Sequence, residues 1–230
     1  MDLDALKEIY PFDVFFEEKR FSGEMQFADM VALNWILNTY KPKTILEIGA
    51  WTGSCTCLFG TFVRKYGGKV YSIDNFKGSP GSAQETTCHV AKDRFLKNIK
   101  RFGLEDTVTL LEGSSNDYAD LDQTFDMVFI DADHRYSQVK KDIENFAPKL
   151  NSCGILSGHD FNHPDYDEKH IEEDYVTGRH HGVSKAVMEL IDVMLVSTSG
   201  KNSVWYKIGE ENGNNGREGT KQRRSELQAA

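Results

Sequence analysis

The sequence contains no uninterrupted run of about 18 apolar residues, the length that a helix needs to cross a membrane. Its first stretch, residues 1–10, is acidic and lacks the apolar core of a secretory signal. Cysteine is scarce: four residues lie at positions 55, 57, 88 and 153, and they do not form two pairs at zinc-ribbon spacing. We therefore expect a cytoplasmic protein with reduced thiols and no membrane partner.

The sequence also contains fewer positively charged than negatively charged residues. The 27 lysines and arginines face 36 aspartates and glutamates, which gives a formal net charge of −9. A general nucleic-acid-binding protein needs a basic face that neutralises phosphates, so we expect no nucleic-acid partner.

The length bounds the number of domains. With 230 residues, 39% of them hydrophobic, the chain can build one sizeable core but not two large ones. From residue 209 onward it consists mostly of glycine, asparagine and charged residues, which bury too little apolar surface to fold. We predict a single domain over 1–208, with N-terminal helices in 1–41 and a core in 42–208, followed by a disordered tail over 209–230.

Short β-rich segments alternate with longer segments of helical spacing throughout the predicted core. The strands are predicted at Thr44–Gly49, Lys69–Asp74, Val108–Glu112, Met127–Asp131, Gly154–Ser157, Val193–Ser197 and Ser203–Ile208. The helices between them are predicted at Ser54–Lys65, Ala83–Phe102, Tyr136–Leu150 and Val183–Ile191. This order predicts an α/β fold with a Rossmann-like, doubly wound, mostly parallel sheet of about seven strands and an antiparallel edge strand.

A further amphipathic helix is predicted upstream, over Glu24–Tyr40. Its apolar face and the nearby aromatic residues Phe12, Phe15 and Phe16 have two interpretations. They either cover the core of this domain or form the surface of a homo-oligomer.

A glycine-containing loop follows the first predicted strand. It reads Glu47-Ile-Gly49-Ala50-Trp-Thr-Gly53 and leads directly into a helix at Ser54. Glycine at Gly49 and Gly53 permits a positive φ and lets a ligand approach the backbone closely. Because the loop stands between a strand and a helix, it is typical of a ligand-binding turn.

The residues around this loop favour one kind of ligand. The loop lacks the third glycine of the dinucleotide fingerprint, and the carboxylate of Glu47 would repel a pyrophosphate. Asp74 ends the second strand about 20 residues beyond Gly53, where a carboxylate accepts ribose hydroxyls. The pair indicates a positively charged nucleoside without phosphates, and S-adenosylmethionine fits that description.

The loop and the acidic residue that ends the next strand resemble those of class I S-adenosylmethionine-dependent methyltransferases, over about residues 24–208. The resemblance implies that the loop residues Glu47, Gly49, Ala50 and Gly53 surround the methionine part and that Asp74 holds the ribose. It also places Ser114 and Ser115 near the adenine, although a serine after a strand equally well caps the next helix.

Acidic residues and histidines follow the fourth and fifth strands. Asp131, Asp133 and His134 end the fourth strand, and His159 and Asp160 end the fifth. Ligands of open α/β sheets bind beyond the carboxyl ends of the strands, so these side chains are expected at one rim. Carboxylate oxygens suit Mg²⁺, Mn²⁺ or Ca²⁺, and imidazole widens the choice towards transition metals. The alternative is structural, with Asp133 capping the following helix.

The string FIDADHRYSQVKKDIENFAPKLNSCGILSGHDF, residues 129–161, is similar to one branch of class I methyltransferases. That branch includes the macrolide sugar O-methyltransferases and the cephalosporin hydroxylase family. The resemblance implies that Asp131 and Asp160 are metal ligands and that His134 is the catalytic base. His159 occupies the place of a carboxylate in that branch and is a candidate third ligand. Asp131 is also a candidate catalytic and cofactor-contacting residue, and Asp133 either orients His134 or receives a substrate hydroxyl.

Two polar segments are candidate walls of the pocket. Residues 161–182, with His163, His170, His180 and His181, form a long insertion after the fifth strand, and such insertions are usually functional or disordered. We expect it to recognise the acceptor. Phe76–Gln84 is the second candidate wall.

Together these features predict the transfer of a methyl group from S-adenosylmethionine to a hydroxyl of a small polar acceptor, such as a sugar or natural product, with Mg²⁺ (or Mn²⁺ or Ca²⁺) assisting. A metal bound to the hydroxyl makes it more acidic, and a neutral His134 can take the proton. Three alternatives stay open: an NAD(P)-dependent oxidoreductase on the same fold, an inactive S-adenosylmethionine-binding protein, and a methyltransferase without metal.

Overall fold

A computed structural model of the protein describes residues 27–162, 166–176, 179–192, 194–195 and 203–209. In chain order the helices and strands are α1 (Phe27–Tyr40), β1 (Thr44–Ile48), α2 (Ser54–Arg64), β2 (Lys69–Asp74), α3 (Cys88–Arg101), β3 (Val108–Glu112), β4 (Phe125–Ile130), α4 (Tyr136–Phe146), β5 (Leu150–Phe161), α5 (His181–Leu190), β6 (Met194–Leu195) and β7 (Ser203–Ile208). Short 3₁₀ helices cover Ala83–Thr86, Ser115–Tyr118, Ala147–Lys149 and Glu168–His170. Residues 210–230 of the tail predicted over 209–230, and the aromatic residues Phe12, Phe15 and Phe16, lie outside these ranges.

The strands form one sheet in the order β3-β2-β1-β4-β5-β7-β6. All pairs from β3 to β5 are parallel, whereas β7 runs antiparallel to both of its neighbours. Six strands have five residues or more, and the seventh, β6, has only two. The prediction of a Rossmann-like, mostly parallel sheet with antiparallel pairing at one edge is confirmed.

The two faces of the sheet carry two apolar clusters. Phe129 of β4 points into the cluster formed with α1, α2 and α3, whereas its neighbour Val128 points into the cluster formed with α4 and α5. This alternation follows from the strand period of two and explains why the central strands are apolar on both faces.

Several predicted boundaries were too short or too long. The strand predicted at Gly154–Ser157 extends over the whole of β5, because polar residues at both of its ends hid its length. The helix predicted over Ala83–Phe102 is divided into a 3₁₀ turn and α3. No helix in the described part of the chain is both long and apolar enough to span a membrane.

One carboxyl group lies within the sheet. Glu47 of β1 is fully buried, and its Oε2 accepts hydrogen bonds from the hydroxyls of Thr56 and Ser72. Its Oε1 has no protein partner among the described residues. Burial disfavours the charged form and raises the pKa of Glu47 to about 8, although the two hydroxyls oppose the rise. Glu47 is therefore neutral at pH 7, and the negative charge expected of it from the sequence, which would repel a pyrophosphate, is absent.

The burial of Glu47 leads to a prediction about how the free energy of unfolding depends on pH. Because the pKa of Glu47 is higher in the folded protein than in the unfolded chain, the folded state holds the proton between pH about 4.5 and about 8, and its contribution to stability is lost as the pH rises through that window. Glu47→Gln should remove this loss, which amounts to a few kcal/mol because each pKa unit corresponds to about 1.4 kcal/mol. Denaturant unfolding at pH 5.5 and pH 8.5 measures it.

The matched control is Glu112→Gln, at the exposed end of the neighbouring strand β3. The difference in unfolding free energy between the two pH values should shrink in Glu47→Gln and stay at the wild-type value in the control. Equal pH dependence in both variants would show that Glu47 is ionised in the folded protein.

Candidate active site

The loop after β1 is held tightly between the ends of two neighbouring strands. Gly49 has a φ of +94°, and a Cβ atom there would lie 2.0 Å from the backbone oxygen of Asp131. Gly53 has a φ of +87° and begins α2. At position 49, any residue other than glycine would be strained by the positive φ and would collide with the backbone of Asp131. The loop therefore brings the backbone that follows β1 into direct contact with the end of β4.

Asp74 fixes the other side of this loop. One carboxylate oxygen accepts the backbone N–H of Trp51 at 2.6 Å, and the other accepts that of Phe76 at 2.6 Å. Burial raises the pKa of Asp74, and the backbone donors counteract that rise. The backbone of Ala50 is a third donor, so the carboxylate retains about one of its four lone pairs for a hydroxyl of a ligand.

A cavity of about 470 Å³ opens beside Asp74 at the carboxyl ends of the strands. This volume is ordinary for a small-molecule site. Five of the predicted site residues form part of its wall: Gly49, Asp74, Ser114, Ser115 and Asp131. The segment after β2 also contributes, through Lys77, Gly78, Ser79, Pro80 and Gln84. Glu47, Ala50 and Gly53 lie behind this wall, so they shape the loop without bordering the cavity.

The wall of this cavity also contains an acid that sequence reasoning did not assign. Asp142 of α4 is fully buried and accepts hydrogen bonds from Ser115 at 2.6 Å and from Gln138 at 2.8 Å. Burial raises its pKa to about 6. Ser114 meanwhile caps the following 3₁₀ helix in a capping box with Asp117. Ser114 thus caps a helix, as the structural alternative predicted, and it also forms part of the cavity wall.

The carboxyl ends of β4 and β5 bring together the predicted acidic residues and histidines. The Nε2 of His134 lies 3.4 Å from Asp131 Oδ1 and 3.0 Å from Asp160 Oδ2. The Nδ1 of His159 lies 3.4 Å from Asp160 Oδ1 and 3.9 Å from Asp131 Oδ2. Donor atoms of Asp131, His159 and Asp160 all lie within 4.8 Å of one another, a separation that a single cation can bridge.

Asp160 reaches the centre of this group because β5 is distorted at its end. Its φ is +59°, which is rare for a residue other than glycine, and the pairing with β7 shifts between Gly158 and Phe161. Burial alone would raise the pKa of Asp160, but the adjacent His159 and His134 outweigh burial and hold it well below the usual value. Such local strain is typical of functional positions.

The partner of His134 differs from the prediction. Asp133 was a candidate for orienting it, but the carboxylate of Asp133 binds the guanidinium of Arg135, with the Nε of Arg135 2.9 and 3.0 Å from its two oxygens. Asp174 takes that place instead. Its Oδ1 lies 2.8 Å from Nδ1 of His134 and also accepts the backbone N–H of His134 at 3.0 Å. Asp133 is paired with Arg135, its near neighbour in sequence. The carboxylate that faces His134 is that of Asp174, which is more distant in the chain.

The insertion after β5 therefore contributes directly to the cluster. Besides Asp174 it supplies His180, whose Nδ1 donates to the carbonyl oxygen of Asp174 at 2.7 Å and whose ring lies 4.1 Å from that of His134. The Nε2 of His180 lies 3.5 Å from Asp160 Oδ1. Burial and the charge of His134 lower the pKa of His180. Residues 163–165 and 177–178 of this insertion lie outside the described part of the chain.

The charge state of the two central histidines follows from their neighbours. Burial lowers the pKa of both His134 and His159, but the surrounding carboxylates, chiefly Asp160, outweigh it and raise both values well above the usual range. Without a cation both rings are held as imidazolium ions by Asp160 and its neighbours.

The N-terminal helix adds a carboxylate that sequence reasoning missed. Asp29 of α1 is fully buried, and its Oδ2 lies 3.3 Å from Nε2 of His159. The sequence signal was an acidic residue inside an otherwise apolar helix face, which is uncommon unless the acid has a buried partner.

Comparisons with known proteins agree with this architecture. The O-methyltransferase from Bacillus cereus in complex with SAH aligns with a TM-score of 0.61 and 18% identity, covering 91% of this chain and 92% of that chain. SAH-bound PaMTH1 from Podospora anserina aligns with a TM-score of 0.58 and 19% identity, over 88% and 87%. TomG from Streptomyces achromogenes, in complex with SAM, aligns with a TM-score of 0.55 and 14% identity, over 91% of both chains. No curated protein matched the sequence.

These structural likenesses, at such low identity, establish the fold. The family rests on the sequence itself, because a family model described as a methyltransferase domain matches residues 46–161, just over half of the chain. The matched segment runs from the second half of β1 to the end of β5 and thus contains the glycine loop, Asp74 and both strand ends of the His/Asp cluster. The resemblance to class I methyltransferases is therefore confirmed, and the chain belongs to the methyltransferase domain family.

Proposed function

We propose that this protein transfers a methyl group from S-adenosylmethionine to a hydroxyl oxygen of a small polar acceptor, with a divalent cation assisting. The observation that carries the proposal is the position of Asp131. It is part of the cavity wall that contains Asp74, and it is also a member of the His/Asp cluster. A nucleoside held at Asp74 and an acceptor held at the cluster would therefore meet at one residue.

The cofactor is inferred from the family and the cavity. Asp74 retains acceptor capacity for a ribose hydroxyl, and the polar side chains of Ser114, Ser115 and Asp142 border the same cavity, where they are available to a base. The solved relatives bound to SAH or SAM support the same choice. The loop lacks the third glycine that favours a dinucleotide, which weighs against the oxidoreductase alternative.

The cluster has the composition of a divalent-cation site. Asp131, His159 and Asp160 present two carboxylates and one imidazole at separations that one ion spans. When bound, a cation supplies Lewis acidity that makes an acceptor hydroxyl easier to deprotonate. Mg²⁺ is the ion that the resemblance to the metal-dependent branch implies, with Mn²⁺ and Ca²⁺ as alternatives.

We assign His134 as the group that receives the acceptor proton. Its Nδ1 faces Asp174, which fixes the ring orientation and leaves Nε2 directed at Asp131 and Asp160. An imidazole must be neutral to accept a proton, and the carboxylates around His134 oppose that state. Neutralising the charge of Asp131 and Asp160 removes this opposition, so the base and the cation site depend on one another.

The acceptor is inferred from the insertion that adjoins the cluster. Its described part is polar, with His170 paired to Glu173 and Tyr175 largely exposed. Such a wall suits an acceptor with several hydroxyl groups, as in a sugar or a glycosylated natural product.

The cofactor assignment is tested by calorimetric titration with S-adenosylmethionine and, separately, with NAD. The wild type should bind S-adenosylmethionine and not NAD. Asp74→Ala should weaken that binding about 10- to 100-fold, because hydrogen bonds to a charged group contribute about 1.5–3 kcal/mol. The control is Glu112→Ala, an acid that ends the adjacent strand in register with Asp74 and pairs with Lys92 outside the cavity.

Equal losses in Asp74→Ala and Glu112→Ala would contradict a ribose contact. Since Asp74 also supports the loop through Trp51 and Phe76, Asp74→Asn gives a milder test that keeps an acceptor for the backbone. Binding of NAD in place of S-adenosylmethionine would favour the oxidoreductase alternative.

The role of His134 is tested by methyl transfer, followed as release of S-adenosylhomocysteine with a panel of sugars and glycosylated metabolites. His134→Gln should lower kcat about 10²- to 10⁴-fold, the usual contribution of general base catalysis. Its affinity for S-adenosylmethionine should be unchanged, because His134 does not border the cavity. His89→Gln, which changes an exposed histidine of α3 outside the cavity wall, is the control.

A failure to turn over any acceptor, with intact S-adenosylmethionine binding, would support the inactive binding protein instead. A His134→Gln variant with wild-type kcat would remove His134 from the mechanism.

A further inference from the structure

His159 distinguishes this cation site from the all-oxygen site that its resemblance implies. The resemblance implies a carboxylate at this position, and the far nitrogen of His159, Nε2, lies 3.3 Å from a buried acid of another element, Asp29. We propose that the site selects a first-row transition-metal ion over Mg²⁺ and that the Asp29–His159 pair sets this selectivity. The inference rests on the proposed function, because it concerns the same cation site.

The geometry turns one nitrogen of His159 towards the site and the other away from it. Nε2 lies 3.3 Å from Asp29 Oδ2, and Nδ1 lies 3.4 Å from Asp160 Oδ1. When a cation displaces the proton of Nδ1, a carboxylate behind the ring favours retention of the proton on Nε2, so that the lone pair of Nδ1 is directed at the cation. Metal-ligating histidines are held in this way by a carboxylate or carbonyl on their outer nitrogen.

The chemistry of the donors then favours particular ions. Mg²⁺ is a hard ion that prefers oxygen ligands and retains bound water, whereas imidazole suits softer first-row ions such as Fe²⁺, Co²⁺, Ni²⁺ and Zn²⁺. Replacing a carboxylate by imidazole also removes one negative charge from the atoms that touch the ion. Asp29 keeps that charge nearby but places it behind the ring, where it strengthens a nitrogen donor and offers no oxygen to the ion.

A second imidazole borders the same carboxylate from the other side. The Nε2 of His180 lies 3.5 Å from Asp160 Oδ1, while its Nδ1 donates to the carbonyl of Asp174. His159 has a similar arrangement, with its outer nitrogen 3.3 Å from an oxygen of Asp29 and its inner nitrogen turned towards Asp160. Imidazole nitrogens of two histidines, His159 and His180, thus flank Asp160 on two sides.

The test measures the binding of Mg²⁺ and Co²⁺ to the metal-free full-length protein by calorimetry, and follows the visible absorption of Co²⁺ as a report on nitrogen ligation. The wild type should prefer Co²⁺. His159→Asp restores the carboxylate of the resembling branch, so it should lower the ratio of Co²⁺ to Mg²⁺ affinity at least about tenfold and change the Co²⁺ spectrum. Asp29→Asn, which acts through His159, should weaken Co²⁺ about 10- to 100-fold, the usual effect of losing such a partner.

His181→Gln is the matched control, since this neighbouring histidine accepts the backbone N–H of Asp167 and takes no part in the cluster. It should leave both affinities unchanged. An unchanged affinity ratio and spectrum in His159→Asp would overturn the proposal, as would tighter binding of Mg²⁺ than of Co²⁺ by the wild type. Thermal unfolding checks each variant, and His159→Asp carries the test if Asp29→Asn does not fold.

The two proposals fail separately. Loss of the metal preference with intact S-adenosylmethionine binding would overturn this inference alone. Absence of S-adenosylmethionine binding, with the predicted Co²⁺ behaviour, would overturn the proposed function and keep the metal selectivity.

Discussion

The balance of buried charge around Asp160 is the constraint on which the site depends. A continuous chain of ion-pair contacts links four aspartates and three histidines there: Asp29, Asp131, Asp160, Asp174, His134, His159 and His180. They come from α1, the ends of β4 and β5, and the insertion after β5. A buried charge that loses its partner costs about 3–5 kcal/mol, so these segments stabilise the cluster only when they assemble together. The fold brings them together because parallel strands end at a common rim.

The glycine loop and this charged group are joined through a single stretch of backbone. Gly49 contacts the carbonyl of Asp131, while the side chain of Asp131 borders the cavity and approaches His134 and His159. The position of the cofactor pocket and the position of the reacting group are therefore set by the same contact. In chemical terms, close packing at one glycine aligns the donor and acceptor halves of the site.

The parts of this arrangement that sequence could predict are those encoded locally. Strand and helix periodicity, the glycine loop and acidic residues at strand ends all lie within short windows, and Asp131, His134 and Asp160 were found on that basis. Asp29 and Asp174 were not, because their partners lie 130 and 40 residues away in the chain. Proximity in sequence made Asp133 one candidate for orienting His134, but Asp133 pairs with Arg135 and Asp174 faces His134. Asp142 was part of the recognised string, but its burial against Ser115 depends on tertiary packing.

Asp174 has a consequence for how molecules reach the site. Its carboxylate holds His134 and its carbonyl holds His180, so the segment that contains it cannot swing away as a free flap. Its departure would leave the Nδ1 atoms of two buried imidazole groups, His134 and His180, without the oxygen atoms that they face, which is a costly state. The segment is therefore a fixed wall of the site, and an acceptor enters beside it without displacing it.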